Sequence, residues 1–119
     1  MHLTPSILRA TYAMLDECEP FRRWNLPDAE DVKFRVGRSK DCFGWHYHPN
    51  HSRGKHPLIV ISGAKSPRLN VWVPTMAHEM IHLHISRIPN MGRGSEHNAA
   101  WHRCADQVCK SLGFDRSHF

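Results

Sequence analysis

The chain has 119 residues, of which 40% are hydrophobic, and a formal net charge of +5. This length and composition suit a globular domain with one modest core, and we predict a single domain over residues 1–119. The longest apolar run, at residues 58–61, is far too short to cross a membrane, and the first residues lack the basic start and apolar stretch of a secretory signal. We therefore expect a cytoplasmic protein without a membrane anchor.

Three segments in the middle of the chain carry strand patterns. Apolar and basic residues alternate over residues 32–36, which is the period-two signature of a half-buried strand. A second strand is predicted at residues 42–48, with its aromatic side chains on one face, and a β-branched run at residues 58–61 predicts a third. Residues 49–55 join the last two strands as a turn or loop.

The four cysteines do not follow the spacing of a disulfide framework or of a zinc site. Cys104 and Cys109 are five apart on a predicted helix and point in different directions, while Cys18 and Cys42 are isolated in the sequence. No Cys-x-x-Cys pair occurs. We therefore predict free thiols in a reducing compartment, and no second, structural zinc site.

The segment His78-Glu-Met-Ile-His82 is the most informative motif of the chain. Residues four apart lie on one face of a helix, so both imidazoles can reach one metal ion. Glu79 lies beside them and can accept a proton from a water molecule that the metal activates. This arrangement is typical of a zinc metalloprotease.

The residues around this motif predict a helix. Pro74 suits a first helical turn, and Pro89 is expected to stop the helix after Arg87. The predicted helix has a single stripe that should face the core, formed by Ala77, Ile81, His84, Ile85 and Ile88. The helix is therefore expected to be amphipathic, with the two motif histidines flanking the stripe.

A zinc hydrolase needs a third protein ligand and one open coordination position. The metzincin pattern would require glycine and histidine where this chain has Ile85 and Ile88, so that class is excluded. The remaining candidates for the third ligand are Glu96, His97 and His102.

A second helix after the motif favours His97 among these candidates. Ser95 is predicted to be its N-cap, and the helix then runs to about residue 112, before Gly113. The inward stripe of this helix consists of Trp101, Cys104, Ala105, Val108 and Leu112. His97 begins the same stripe and therefore points toward the other helix, so we predict His97 as the third ligand and Glu96 as the alternative.

These residues, in this order, resemble the SprT-like zinc metallopeptidases, and the resemblance covers most of the chain. The family has a first helix, a connection and a small sheet that are similar to residues 6–15, 21–27, 32–39, 43–48 and 57–62. The segment His97-Asn-Ala-Ala-Trp101 stands where the family has His-Gly-x-x-Phe. Many relatives add a zinc ribbon after this core, and we expect here a compact form without it.

The resemblance implies a small zincin-like α+β domain. It has an N-terminal helix, a sheet of about three strands, an active-site helix and a C-terminal helix that carries the third ligand, His97. It also implies a Zn²⁺ peptidase with His78, His82 and His97 as ligands and Glu79 as the catalytic base, although related divalent ions could replace zinc. Asn98 and Trp101 replace the usual glycine and phenylalanine of the family.

Two parts of the expected chemistry stay open in the sequence. The oxyanion of the tetrahedral intermediate needs a stabiliser beyond zinc, and the candidates are Tyr47, His46, His48 and His102. Ligand imidazoles usually donate their other nitrogen to a carboxylate or carbonyl, and Asp106 is one candidate acceptor. The resemblance further implies that an edge strand binds the substrate backbone by strand addition, with residues 43–48 as the candidate.

Three functional hypotheses follow. The first is a zinc endopeptidase that acts on proteins, including proteins bound or crosslinked to DNA, because the first half of the chain is basic and several relatives have such substrates. The second is a zinc-stabilised module that binds DNA or protein with little or no proteolysis. The third is a metal hydrolase that acts on a bond other than a peptide bond. An intact Glu79 favours hydrolysis, since a structural site needs no base.

Overall fold

Three α-helices and a three-stranded sheet form the described parts of the chain, which are residues 2–47, 56–92 and 94–119 of the computed structural model. The elements in chain order are α1 (Pro5–Asp16), β1 (Lys33–Gly37), β2 (Gly44–Tyr47), β3 (Leu58–Ser62), α2 (Leu69–Ser86) and α3 (Ala99–Leu112). Short 3₁₀ turns lie at Phe21–Arg23, Ala29–Asp31 and Arg116–His118. The predicted α+β class and the three strands are confirmed, while the whole predicted loop at residues 49–55 lies outside the described residues, as does His48.

The sheet has the order β1-β3-β2, with β3 parallel to β1 and antiparallel to β2. The register aligns Phe34 with Ile59 and Ile59 with His46, so these three side chains lie on the same face. Phe34 contacts the ring of Tyr12 in α1, with 5.5 Å between the ring centroids, so this face points toward the helices. The register therefore directs His46 into the interior between sheet and helices.

The central element of the fold is α2, which contacts α1, α3, β2 and β3. Its buried residues lie on every side of the helix: Trp72, Met76, Ala77, Glu79, Met80, Ile81, His82, Leu83 and Ile85. The prediction of one core-facing stripe is therefore wrong for this helix, because neighbours surround it and a helix buried on all sides has no polar face. Among the described helices, none combines the length and apolar content needed to span a bilayer.

The start of α2 also differs from the prediction. The helix begins at Leu69, and Pro74 lies inside it rather than in its first turn. A proline in a helix interior removes one backbone hydrogen bond, which normally makes such a position unfavourable. Here the extra turn contains Trp72, which is only 2% exposed, so its burial in the core offsets that loss.

The start of α3 is a second correction. Asn98, not Ser95, is the N-cap, and its side-chain oxygen accepts a hydrogen bond from the Trp101 backbone N–H at 2.9 Å. The Asn98 amide also donates to the backbone oxygen of Met91 at 2.9 Å. These two bonds fix the loop before the helix, so His97 precedes α3 instead of beginning its stripe. The predicted end before Gly113 is confirmed, with Gly113 at a φ of 79°.

Two other predictions agree with the structure, namely the free cysteines and the inward stripe of α3. All four cysteines are free thiols. Cys104 is buried in α3 together with Trp101, Ala105 and Val108, which is the inward stripe that the sequence predicts. This packing joins α3 to α2 through the core.

A buried tyrosine ties α1 to the segment that leads into the sheet. Tyr12 is fully buried, and its hydroxyl donates a 2.6 Å hydrogen bond to the backbone oxygen of Pro27. Burial, together with the negative charge of Asp16, raises the pKa of Tyr12 well above its ordinary value near 10. The fold therefore favours the neutral phenol.

We predict that Tyr12→Phe lowers the free energy of unfolding by about 1 kcal/mol at pH 8, because it removes this hydrogen bond. The raised pKa means that the neutral phenol contributes its full stability below the unfolded-state pKa, and that this contribution falls as the pH rises above about 10. Denaturant unfolding at pH 8 and at pH 11 should therefore show a smaller difference between wild type and variant at the higher pH. An unchanged difference would contradict the prediction.

Candidate metal centre

Three histidine side chains converge on one point between α2 and the loop before α3. The Nε2 atoms of His78, His82 and His97 lie 3.2 Å apart in each of the three pairs. The helix supplies His78 and His82 from successive turns of one face, and the loop fixed by Asn98 supplies His97 from the other side. The structure thus brings together the three predicted ligands.

The spacing of these nitrogens fits a tetrahedral metal site. A tetrahedral zinc ion with Zn–N bonds of about 2.0–2.1 Å separates its ligand nitrogens by roughly 3.3–3.4 Å. The observed separation of 3.2 Å is within about 0.2 Å of that value. Within the described residues, no other group of three His, Cys, Asp or Glu side chains meets the spacing of a metal site. Three imidazoles also suit several other divalent ions.

The hydrogen bond of His78 identifies which of its nitrogens can bind a metal. Its Nδ1 lies 2.9 Å from the backbone oxygen of Phe119. A backbone oxygen can only accept, so Nδ1 must carry the proton, and the lone pair remains on Nε2. Because Nε2 is the atom that faces His82 and His97, this bond prepares His78 as a ligand.

The indole of Trp101 forms a common platform beneath the three imidazoles. Its ring centroid lies 4.7 Å from that of His78, 5.5 Å from that of His82 and 4.5 Å from that of His97. Trp101 is 2% exposed, and it belongs to the first turn of α3. A rigid aromatic surface at this position limits the ring rotation of all three ligands.

The surroundings of the cluster keep its buried members neutral. Burial lowers the pKa of His78. The pKa of His82 falls to about 3, chiefly because of burial and further because His78, His46 and His97 lie close to it. A histidine binds a metal only as neutral imidazole, so His82 needs no deprotonation to act as a ligand at neutral pH.

The carboxylate of Glu79 lies beside the cluster and is buried. Its side chain is in the same turn of α2 as His78, and only 5% of the residue is exposed. One carboxylate oxygen, Oε1, is 3.4 Å from Nδ1 of His46. The His46 ring also stacks on His82, with 5.1 Å between centroids. His46 thus links the carboxylate to the histidine cluster.

A cleft of about 630 Å³ opens directly onto Glu79 and His78. Three segments form its walls, namely the start of β2, the first half of α2 and residues 113–119. Its apolar lining residues include Phe43, Val71, Pro74, Phe114 and Phe119. A volume of this size accommodates a bulky side chain together with adjoining main chain.

The structure does not place the other residues that the sequence proposes for the site in the histidine cluster. His102 is exposed and bonds through Nδ1 to Arg116 at 2.8 Å, and Asp106 pairs with the same arginine at 2.7 Å rather than with a cluster histidine. Glu96 is exposed and does not belong to the cluster. His48 and the side chain of Tyr47 lie outside the described parts of the chain.

We predict that Zn²⁺ stabilises the wild type, and that His97→Ala removes most of this effect. At a free zinc concentration 100 times the Kd, the free energy of unfolding should rise by about 2.7 kcal/mol. The matched control is His84→Ala, because His84 is on the same helix but stacks on Trp24, with 4.1 Å between ring centroids. Denaturant unfolding with and without zinc measures the increment. A full increment in His97→Ala would contradict the assignment of this ligand.

Comparisons of the chain with protein-family models, with curated proteins and with solved structures find no match. The resemblance to SprT-like metallopeptidases therefore depends on the motif residues and their order, and it stays a prediction. What the structure adds is the convergence of three imidazole nitrogens beside a buried carboxylate and a cleft.

Proposed function

We propose that the protein is a metal-dependent peptidase, with zinc as the favoured ion. The observation that carries the proposal is the buried carboxylate of Glu79 next to a cluster of three convergent imidazoles, with Glu79 and His78 both lining a cleft. A divalent ion bound there supplies Lewis acidity, which lowers the pKa of a water molecule and polarises a substrate carbonyl. A purely structural metal site would not need the carboxylate or the open cleft beside it.

In this proposal, Glu79 transfers the protons and His46 positions the reacting groups. Glu79 accepts the proton of the attacking water and passes it to the amine that leaves when the peptide bond breaks. His46 lies 3.4 Å from the Glu79 carboxylate, so it can orient that group or donate toward the developing oxyanion. Of the four candidates for stabilising the oxyanion, His46 is the one with this contact among the described residues.

The proposed substrate is an extended polypeptide segment. In the sheet formed by the described residues, β2 is an outer strand, and an added strand can pair with the backbone groups of such an edge. The start of β2 also lines the cleft, so a segment paired there would pass Glu79. Because Phe43 and Phe114 line this cleft, we expect a substrate with an apolar side chain near the cleaved bond.

We predict that Glu79→Gln lowers the rate of peptide hydrolysis by about 10²- to 10⁴-fold, because an amide cannot accept the proton. Zinc affinity should be unchanged, since Glu79 is not one of the three ligands. Hydrolysis of an unfolded protein substrate and zinc competition with a chelator give the two readouts. The matched control is Glu96→Gln, which changes an exposed carboxylate and should keep both properties.

The alternatives give different results in the same experiment. A chain that binds zinc tightly and hydrolyses no substrate would favour the zinc-stabilised binding module. Full hydrolysis by Glu79→Gln would contradict the proposed mechanism. Hydrolysis of a small ester, lost in Glu79→Gln and without any cleavage of peptides, would favour a metal hydrolase of another bond class.

A specific surface feature favours substrates that are bound to DNA. Lys33 and Arg35 are exposed on the face of β1 that points away from the helices. The register aligns Arg35 with Val60 and Val60 with Trp45, so the half-buried indole of Trp45 lies on the same face. Positive side chains beside an aromatic ring suit phosphates and an exposed base.

We predict that DNA increases the cleavage of a basic DNA-binding protein, and that Arg35→Glu reduces this increase. The charge change should weaken DNA binding without altering the cleavage of a substrate that does not bind DNA, because Arg35 does not line the cleft. Cleavage assays with and without single-stranded and double-stranded DNA test this prediction. Arg22→Glu, which changes an exposed arginine outside the sheet, is the control. Equal stimulation of both variants would contradict the role of this face.

A further inference from the structure

The segment of residues 113–119, called here the strap, returns from the end of α3 to the metal centre. Gly113 reverses the chain direction in the left-handed conformation, with a φ of 79°. The Phe119 ring then lies 5.6 Å from His78, 6.0 Å from Trp101 and 5.8 Å from Phe114, measured between centroids. The backbone oxygen of Phe119 accepts the hydrogen bond from Nδ1 of His78. The strap therefore reaches the outer nitrogen of one predicted ligand.

Besides the ring contacts of Phe119, the side chain of Arg116 ties the strap to α3 by two hydrogen bonds. Its Nε lies 2.7 Å from Oδ1 of Asp106, and its Nη2 lies 2.8 Å from Nδ1 of His102. Its guanidinium carbon is 5.7 Å from the ring centroid of Trp101, which is the platform beneath the ligands. Arginine has donors only, so the His102 nitrogen accepts, and the fork of Arg116 has a fixed orientation against α3.

We infer that the strap is a positioning element for the metal centre, and that Arg116 acts on His78 through the backbone of Phe119. The inference rests on the proposed metal centre. Without Arg116, the ring contacts of Phe119 remain, but the backbone of the strap loses its polar anchor. The Phe119 oxygen is then held less precisely, which weakens the bond that selects the tautomer and ring orientation of His78. Arg116 is thus a positioning residue that does not itself contact the metal.

Because the ion pair between Asp106 and Arg116 is exposed, its effect on the metal centre can be distinguished from a general effect on folding. The side chains of Asp106 and Arg116 are 68% and 37% exposed. Ion pairs with such exposure contribute little to the stability of a fold. Loss of the pair should therefore leave the metal-free protein folded, so a change in metal affinity can be attributed to the position of the strap.

The test is the metal affinity of Arg116→Ala, measured by chelator competition with Zn²⁺ and by the visible absorption of bound Co²⁺. We expect the affinity to fall about 10-fold or more, as for other residues that orient metal ligands, and Arg116→Lys to recover part of it. The matched control is Arg23→Ala, which removes an exposed arginine whose Nε lies 2.5 Å from a Glu19 carboxylate oxygen outside the metal centre. The metal-free melting temperatures of the two alanine variants should be similar.

Equal zinc affinity of Arg116→Ala and Arg23→Ala would overturn the inference. If Arg116→Ala does not fold, Asp106→Asn is the second variant, because it preserves the shape of the side chain and removes its charge, and it should again lower the affinity. Failure of the wild type to bind either ion would overturn the metal centre together with this inference. A wild type that binds zinc but cleaves no peptide would contradict only the proposed peptidase activity, since none of these readouts uses cleavage.

Discussion

Three imidazole nitrogens held 3.2 Å apart form an arrangement that a bound cation would stabilise. Their positions require rigid support from several parts of the fold. Helix α2 is buried on all sides, which fixes His78 and His82 one turn apart. The hydrogen bonds of Asn98 hold the loop that carries His97, and Trp101 supports all three rings. The packing of α2, the Asn98 loop and Trp101 therefore determines the geometry of this site.

In the proposed mechanism, the same burial gives each residue of the site a distinct chemical role. His82 is deep enough that its pKa falls to about 3, mainly through burial, so it remains a neutral ligand. Glu79 is equally buried but faces the cleft, where it can meet a water molecule and a substrate. His46 arrives from the sheet and contacts both the carboxylate and His82. The proposed ligand His82, the proposed base Glu79 and the orienting residue His46 thus come from two layers of the fold, the helices and the sheet, which pack together.

The sequence predicts the parts of this site that depend on local geometry. His78 and His82 follow from helical periodicity, which holds whatever the exact helix ends are. The prediction of His97 assumes a helix from Ser95, whereas the helix begins after Asn98. His97 reaches the cluster nevertheless, because the first turn of α3, with Trp101, packs against it. The start of α2 is missed because Pro74 dominates local propensity, while the burial of Trp72 is a tertiary effect.

Contacts that depend on the whole chain could not be predicted in this way. His46 is one of four equal candidates in the sequence, and only the alignment of β2 with β3 directs it toward Glu79. The partner of His78 is the backbone oxygen of Phe119, which any residue could supply, so no side-chain pattern marks it. The proposed role of Arg116 also has no signature in the sequence, because Arg116 acts on His78 through the backbone of Phe119.

X-ray absorption at the zinc edge reports the atoms bound to the metal in the loaded protein, so it is the decisive measurement for the proposed metal centre. We predict three imidazole nitrogens and one further light atom at about 2.0–2.1 Å. Substitution of His97 by alanine should reduce the imidazole contribution by one third. A sulfur atom at about 2.3 Å, or fewer than three imidazoles in the wild type, would contradict the proposed ligand set.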